Sequence, residues 1–193
     1  MSPSEMRVVF IDTNGTTLAL LGAALRQVNH GRDKPIQVVA RSRDDLFDNT
    51  RIAECVAEVR RADALILLPH GGAESIPGFD LLVAAAQGRI IHLQTSAAAP
   101  ETFDLARDTS TDFGAAAYAR RNAYLAKGGI ANLVNLLRTL AGDGSPQTEP
   151  PPPTDVPTEG LYHPDYDGAD NTADYLAWAR ARRGADERVP GRR

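Results

Sequence analysis

Apolar residues gather in short runs separated by longer mixed stretches, and this alternation repeats four times before it fails. The first run, Arg7-Val8-Val9-Phe10-Ile11-Asp12, is too uniformly apolar for a half-exposed strand and predicts one buried on both faces, as in a parallel sheet. It ends in Asp12-Thr13-Asn14-Gly15-Thr16-Thr17, a cluster of turn and capping residues, with Asn14 or Thr16 expected to cap the first helix. In that helix Leu18, Leu21, Leu25 and Val28 recur at helical spacing, and Asn29-His30-Gly31 closes it. Ile36 to Ala40 predicts a second strand. Asp48-Asn49-Thr50 caps a helix running to Arg61, with Ile52, Cys55, Val56 and Val59 on one stripe. Ala64 to Leu68 is the clearest strand and runs into Pro69-His70-Gly71-Gly72. Pro77-Gly78 opens a third helix, and Ile90 to Gln94 reads as the fourth strand. Strands that alternate with helix-sized connections return parallel, with helices on both faces. The predicted fold is therefore α/β, a parallel flavodoxin-like sheet of about four strands with flanking helices.

From Thr95 the pattern changes to a helical extension. Pro100–Arg107 predicts a short helix, Asp112–Leu125 a longer one, and Ile130–Ala141 a third with Leu133, Leu136, Leu137 and Leu140 as its apolar stripe. Residues 145–157 hold six of the chain's 13 prolines. Four of them are consecutive, so this stretch predicts an extended, semi-rigid linker. Beyond it lies a tail with one amphipathic helix, Asp170–Arg183, and a polar, basic end. The expected organisation is an α/β domain with its extension over 1–144, a linker over 145–157 and a tail over 158–193. The tail concentrates Tyr162, Tyr166, Tyr175 and Trp178, which suggests that it docks onto something.

The 193 residues carry 21 Lys+Arg against 25 Asp+Glu, a formal charge of −4 that argues against a protein built to grip nucleic-acid phosphates. No apolar run is long enough to cross a bilayer and the amino terminus lacks a secretory pattern, so a cytoplasmic protein is expected. A single cysteine, Cys55, excludes a disulfide framework and, lying on an apolar stripe, reads as packing. The four histidines (His30, His70, His92 and His163) share no metal-ligand spacing, and His92 reads as a sheet-face residue. Glu101, Ser110 and Asp112 read as capping or loop residues. Arg120, Arg121 and Lys127 read as a solvated helix face.

In an open parallel sheet, ligands bind beyond the carboxyl ends of the strands. The loops there are Asp12–Thr17, Arg41–Asp45, Pro69–Ser75 and Thr95–Ala99. His70, Gly71 and Gly72 are the first candidates, since two glycines let a ligand approach the backbone and an imidazole titrates near neutrality. Asp12, Thr13 and Asn14 are the second set, because hydroxyls and amides at a helix amino terminus suit a phosphate. Each has a plain structural reading as well: a glycine turn with a hydrogen-bonded histidine, and a cap. The dinucleotide and P-loop glycine patterns are absent, as is the acidic arrangement of a phosphoacceptor receiver. No catalytic constellation and no metal ligands are visible.

A set of ordered segments goes further: Ala62-Asp63-Ala64-Leu65-Ile66-Leu67-Leu68-Pro69-His70-Gly71-Gly72, Pro77-Gly78-Phe79-Asp80, Ser110-Thr111-Asp112-Phe113-Gly114, Tyr118-Ala119-Arg120-Arg121, Tyr124-Leu125-Ala126-Lys127-Gly128-Gly129 with Asn132-Leu133, and Pro157 to Asp165. Together they resemble the amino-terminal region of the large cobaltochelatase subunit CobN, in a family shared with the H subunit of magnesium chelatase. The resemblance implies ATP-dependent insertion of a divalent metal into a tetrapyrrole. In this branch that is cobalt into hydrogenobyrinic acid a,c-diamide, for cobalamin biosynthesis. It implies three partners: the remainder of the large subunit, an AAA+ ATPase subunit, and a subunit with a metal-ion-dependent adhesion-type domain. Cobalt, ATP and magnesium belong to the full complex. Family members are far longer, so the chain is expected to be a cloned domain, half of a split gene or a truncated frame, inactive alone. His70 is the position on which a tetrapyrrole contact best hangs. The alternatives are a stand-alone module binding a tetrapyrrole, corrinoid or flavin, the equivalent part of a magnesium chelatase H-type subunit, and a structural remnant.

Overall fold

A computed structural model describes residues 6–94, 115–142, 150–156 and 172–186. The chain divides into two compact units, Met1–Asp155 and Val156–Arg193. In the first, β1 (Arg7–Asp12), β2 (Gln37–Arg41), β3 (Ala64–Leu68) and β4 (Ile90–Leu93) form one parallel sheet in the order β2-β1-β3-β4. The two central strands are those that read as continuously apolar, and they are buried along nearly their whole length. β2, at an edge, is half-exposed.

Helices cover both faces, as right-handed crossovers require. On one face α1 (Leu18–Asn29) and α5 (Gly129–Leu140) bury Leu21, Ala24 and Val28 with Leu133, Leu136, Leu137 and Leu140 over Val8, Phe10 and Ile66. α4 (Ala115–Lys127) adds Tyr124 and Leu125 to this side. On the other face α2 (Asn49–Val59) and α3 (Phe79–Ala85) pack Cys55, Val59 and Leu82 against Val9, Ile11, Leu65 and Leu67. Each fully buried aliphatic side chain contributes roughly 1.5–3 kcal/mol. Burial raises the pKa of Cys55 to about 11, so its thiol is a packing group.

Local chemistry sets the ends. Asp48 caps α2 by accepting from the Arg51 amide at 2.8 Å. Gly78 opens α3 at φ 72°, and a β-carbon there would come within 2.6 Å of Ile52 Cγ2, so only glycine lets α3 sit this close to α2. Asn29, which reads as a helix stop, does more: its side chain takes the Ile36 amide at 2.8 Å and donates to the Ile36 carbonyl at 3.0 Å. Ile36 is thus held by a side chain, and β2 starts one residue later than expected.

One expectation is overturned on α4. Arg121 is fully buried, Arg120 is half-buried with its guanidinium over the Tyr124 ring, and Lys127 pairs with Asp155 at 2.9 Å. The pair Arg120-Arg121 is no solvated face. Arg121 stands three residues after buried Tyr118 and four before buried Leu125, on the inward stripe.

Residues 150–155 lie against α4 and α5, anchored by side chains of both helices. The second unit contributes α6 (Thr172–Asp186), where the Tyr175 and Trp178 rings lie 5.7 Å apart and Arg182 covers Trp178. No described helix is long and apolar enough to cross a membrane. The expected helix at 100–107, the Thr95–Ala99 loop, Glu101, Ser110, Asp112, Tyr162, His163 and Tyr166 lie outside the described residues.

Candidate functional site

The strand order changes direction between β1 and β3: β2 lies on one side of β1, and β3 and β4 on the other. That reversal opens the crevice where doubly wound sheets take ligands. Both candidate loops flank it, because β1 and β3 are neighbours in register with Asp12 opposite Leu68. Residues far apart in sequence, Asp12-Thr13-Asn14 and His70-Gly71-Gly72, are therefore brought together.

Thr13 joins the two loops. Its amide and its hydroxyl both donate to the Leu68 carbonyl, at 3.1 and 3.3 Å, and its Oγ1 accepts from the His70 amide at 2.7 Å. The His70 side chain is exposed. Gly71 adopts φ 106°, a conformation that a side-chain-bearing residue rarely takes. The Glu74 carboxylate lies over Gly72, in the space a β-carbon would fill. Glu74 is not legible as a site residue from sequence, since its placement depends on the turn of Ala73–Ser75 folding it back.

Asp12 is only 4% exposed and is the centre of its loop. Its Oδ1 accepts from the Asn14 amide at 3.1 Å and its Oδ2 from the Thr17 amide at 2.8 Å. This corrects the expected cap: neither Asn14 nor Thr16 caps α1, whose amino-terminal flank, Thr17, makes no side-chain cap bond. An aspartate at the strand end reaches over the turn instead. The same fact bears on phosphate binding. Two amides that would receive an anion are taken by a carboxylate. Those amides are therefore not free to receive a phosphate.

Asp12→Ala strips acceptors from two loop amides and is expected to destabilise the chain by about 1–3 kcal/mol. Asp12→Asn, which keeps one carbonyl acceptor, should lose less. Urea unfolding at pH 7 measures both, and an Asp12→Ala midpoint equal to wild type would remove Asp12 from this role.

Concavities also lie elsewhere among the described residues. A groove of about 520 Å³ between α2 and α3 is lined largely by Ile52, Val56, Leu81 and Ala85. A smaller one of about 250 Å³ lies at the Arg41–Asp45 loop, lined by Arg41, Asp44, Asp45, Phe47, Arg51 and Glu54. Its charges are partly neutralised internally. Arg51 pairs with Glu54 at 3.0 Å, and hydrogen bonds from Ser42 hold the Asp45 carboxyl below the usual carboxylate range. Among the described residues no three His, Cys, Asp or Glu side chains converge as metal ligands would. The β1–α1 turn carries neither a P-loop lysine nor the P-loop glycine pattern.

Residues 122–190 match the family described as CobN/Magnesium Chelatase. The match takes in about a third of the chain. The resemblance read from the sequence is borne out, and this segment includes Tyr124, Lys127 and Asn132. Among solved structures, the catalytic subunit of cobaltochelatase from Mycobacterium tuberculosis superimposes with a TM-score of 0.56 at 22% identity. That match covers 85% of this chain and 13% of the solved chain, and it shows a shared fold. No curated protein is similar enough in sequence to match.

Proposed function

We propose that this chain serves as the sheet-domain portion of a CobN-like cobaltochelatase large subunit and works as part of a larger assembly. The observation that carries this reading is the coincidence, in one chain, of a CobN/magnesium chelatase segment with the fold of a cobaltochelatase catalytic subunit. In this reading the assembly inserts cobalt, its substrate ion, into hydrogenobyrinic acid a,c-diamide in the cytoplasm. An AAA+ ATPase and a subunit with an adhesion-type domain supply the ATP-driven work. Metallation needs a distorted ring and a dehydrated ion, and hydrolysis offsets both costs. The chain spans 13% of the solved subunit's length. The expectation is no cobalt insertion by the chain alone with magnesium, ATP and the diamide, and insertion once the remaining large-subunit polypeptide and both partners are added. Insertion by the isolated chain would refute the reading, as would a complete assembly indifferent to its presence.

A second reading, a stand-alone module binding a tetrapyrrole, corrinoid or flavin, is favoured by the meeting of the Asp12–Asn14 and His70–Gly72 loops at the switch point. Visible-spectrum titration separates the two. Micromolar binding of cobinamide, a porphyrin or FMN that His70→Ala weakens supports the module, and unchanged spectra at high ligand count against it.

A further inference from the structure

The groove between α2 and α3 is used by neither reading. Asn49 opens α2, Arg60 caps its carboxyl end, and both line the groove, which therefore runs the length of that helix, about 16 Å. Between these two the lining is apolar: Ile52, Ala53 and Val56 from α2, and Leu81, Ala84 and Ala85 from α3. The volume of about 520 Å³ falls within the range of small-molecule sites.

Three properties narrow what could fill it. First, the lining is not spare core. Leu82 is fully buried under α3, yet its neighbour Leu81 is 61% exposed, so this short helix carries apolar side chains on its outward side as well. Second, the apolar strip is narrow. The other exposed positions of the two helices are polar or charged, namely Thr50, Arg51 and Glu54 on α2 and Asp80 on α3. A stable dimer needs about 800 Å² from each partner, and a strip confined between such residues does not offer it. Third, the groove has one charged side chain, and it is a cation. Among the described residues at that end of α2, Arg61 pairs with Glu58 at 3.7 Å and Arg89 with Asp63 at 4.0 Å, but Arg60 pairs with no carboxylate. No acidic side chain lines the groove.

We propose that the α2–α3 groove binds a medium-chain carboxylate, with its alkyl chain along Ile52, Val56 and Leu81 and its head group at Arg60. Removing alkyl and groove surface from water supplies most of the affinity. The exposed guanidinium adds little attraction and selects the sign of the head group.

Isothermal titration of the full chain with decanoate, below its micelle concentration and at low salt, tests this. Saturable one-to-one binding is expected, with a Kd of about 10–100 μM. Arg60→Ala should weaken decanoate about threefold and leave 1-decanol unchanged, and decyltrimethylammonium should bind the wild-type chain at least about threefold more weakly than decanoate. Leu81→Asp should weaken decanoate and 1-decanol alike, by at least about tenfold. Because Leu81 and Arg60 are exposed, both variants should keep native circular dichroism. Absence of saturable decanoate binding overturns the proposal, as does binding that either substitution leaves unchanged. A dimer in sedimentation equilibrium that Leu81→Asp makes monomeric would also overturn it, by giving the groove to a second copy of the chain.

Discussion

Phe10→Ala is expected to lower the unfolding free energy by about 3–5 kcal/mol, a large share of the roughly 5–15 kcal/mol typical of a domain. Phe10 lies mid-strand on β1, paired with Ala40 on one side and Ile66 on the other, and is fully buried beneath the helical layer of α1 and α5. A strand held by ladders on both edges cannot shift to fill the lost ring, so the cavity persists and adds to the lost transfer free energy. Ile11→Val, which removes one methylene on the opposite face, should cost only about 0.5–1.5 kcal/mol. Urea unfolding followed by circular dichroism measures both. A loss below about 1 kcal/mol for Phe10→Ala would mean that this face is not the rigid core described. Because β1 ends in Asp12, the larger substitution should also loosen the candidate crevice, read as faster hydrogen exchange at the Thr17 amide.

Acid should destabilise the chain through His92 well before its carboxylates matter. His92 is fully buried on β4, its ring 4.9 Å from that of Tyr118, and neither ring nitrogen has a hydrogen-bond partner among the described residues. Burial, with the Arg121 guanidinium as the second cause, pushes its pKa down to about 3 from the usual 6.5. The folded pKa lies below the unfolded one, so below pH 6.5 the unfolded chain takes up a proton that the folded chain refuses. Stability is therefore full above pH 6.5 and falls as the pH drops toward 3, by at most about 1.4 kcal/mol per pH unit. Between pH 6.5 and 5 the loss is about 2 kcal/mol. His92→Leu should abolish this slope while costing little at pH 7, since no hydrogen bond of the imidazole is lost. Asp45 does not confound the window, because its lowered pKa matters only within the carboxylate range. Denaturant midpoints of both chains at pH 7 and pH 5 decide the matter, and an equal drop in the variant would assign the acid sensitivity elsewhere.

Much of the architecture is legible in the sequence because parallel strands buried on both faces cannot hide. Arg7–Asp12 and Ala64–Leu68 match their expected bounds to the residue, since nothing but a two-sided core accommodates such runs. Helices with a three-four stripe, α1, α2 and α5, fall within two residues of their predicted ends for the same reason. Side chains acting at a distance are harder to see. Arg121 carries a charge where its spacing points inward, so residue type and period conflict there, and period wins. Asp12 reads as a phosphate-loop residue, yet its carboxylate spans five residues to reach the helix start, which local capping rules do not anticipate. The proline run predicts an extended segment, but Asn132 and Tyr124 as its anchors depend on two helices packing side by side.

By itself, the sequence determined the α/β class, the four strands and their crossovers and the resemblance to CobN, because each rests on local pattern or ordered motif. Only tertiary structure decided which strands are neighbours, and hence that Asp12–Asn14 meets His70–Gly72 across the switch point. It alone decided that Thr13 ties those loops together, that His92 and Arg121 share a buried space, and that α4 and α5 hold residues 150–155. Strand order and helix docking are settled by burial summed over the whole chain, and no window of sequence contains that sum.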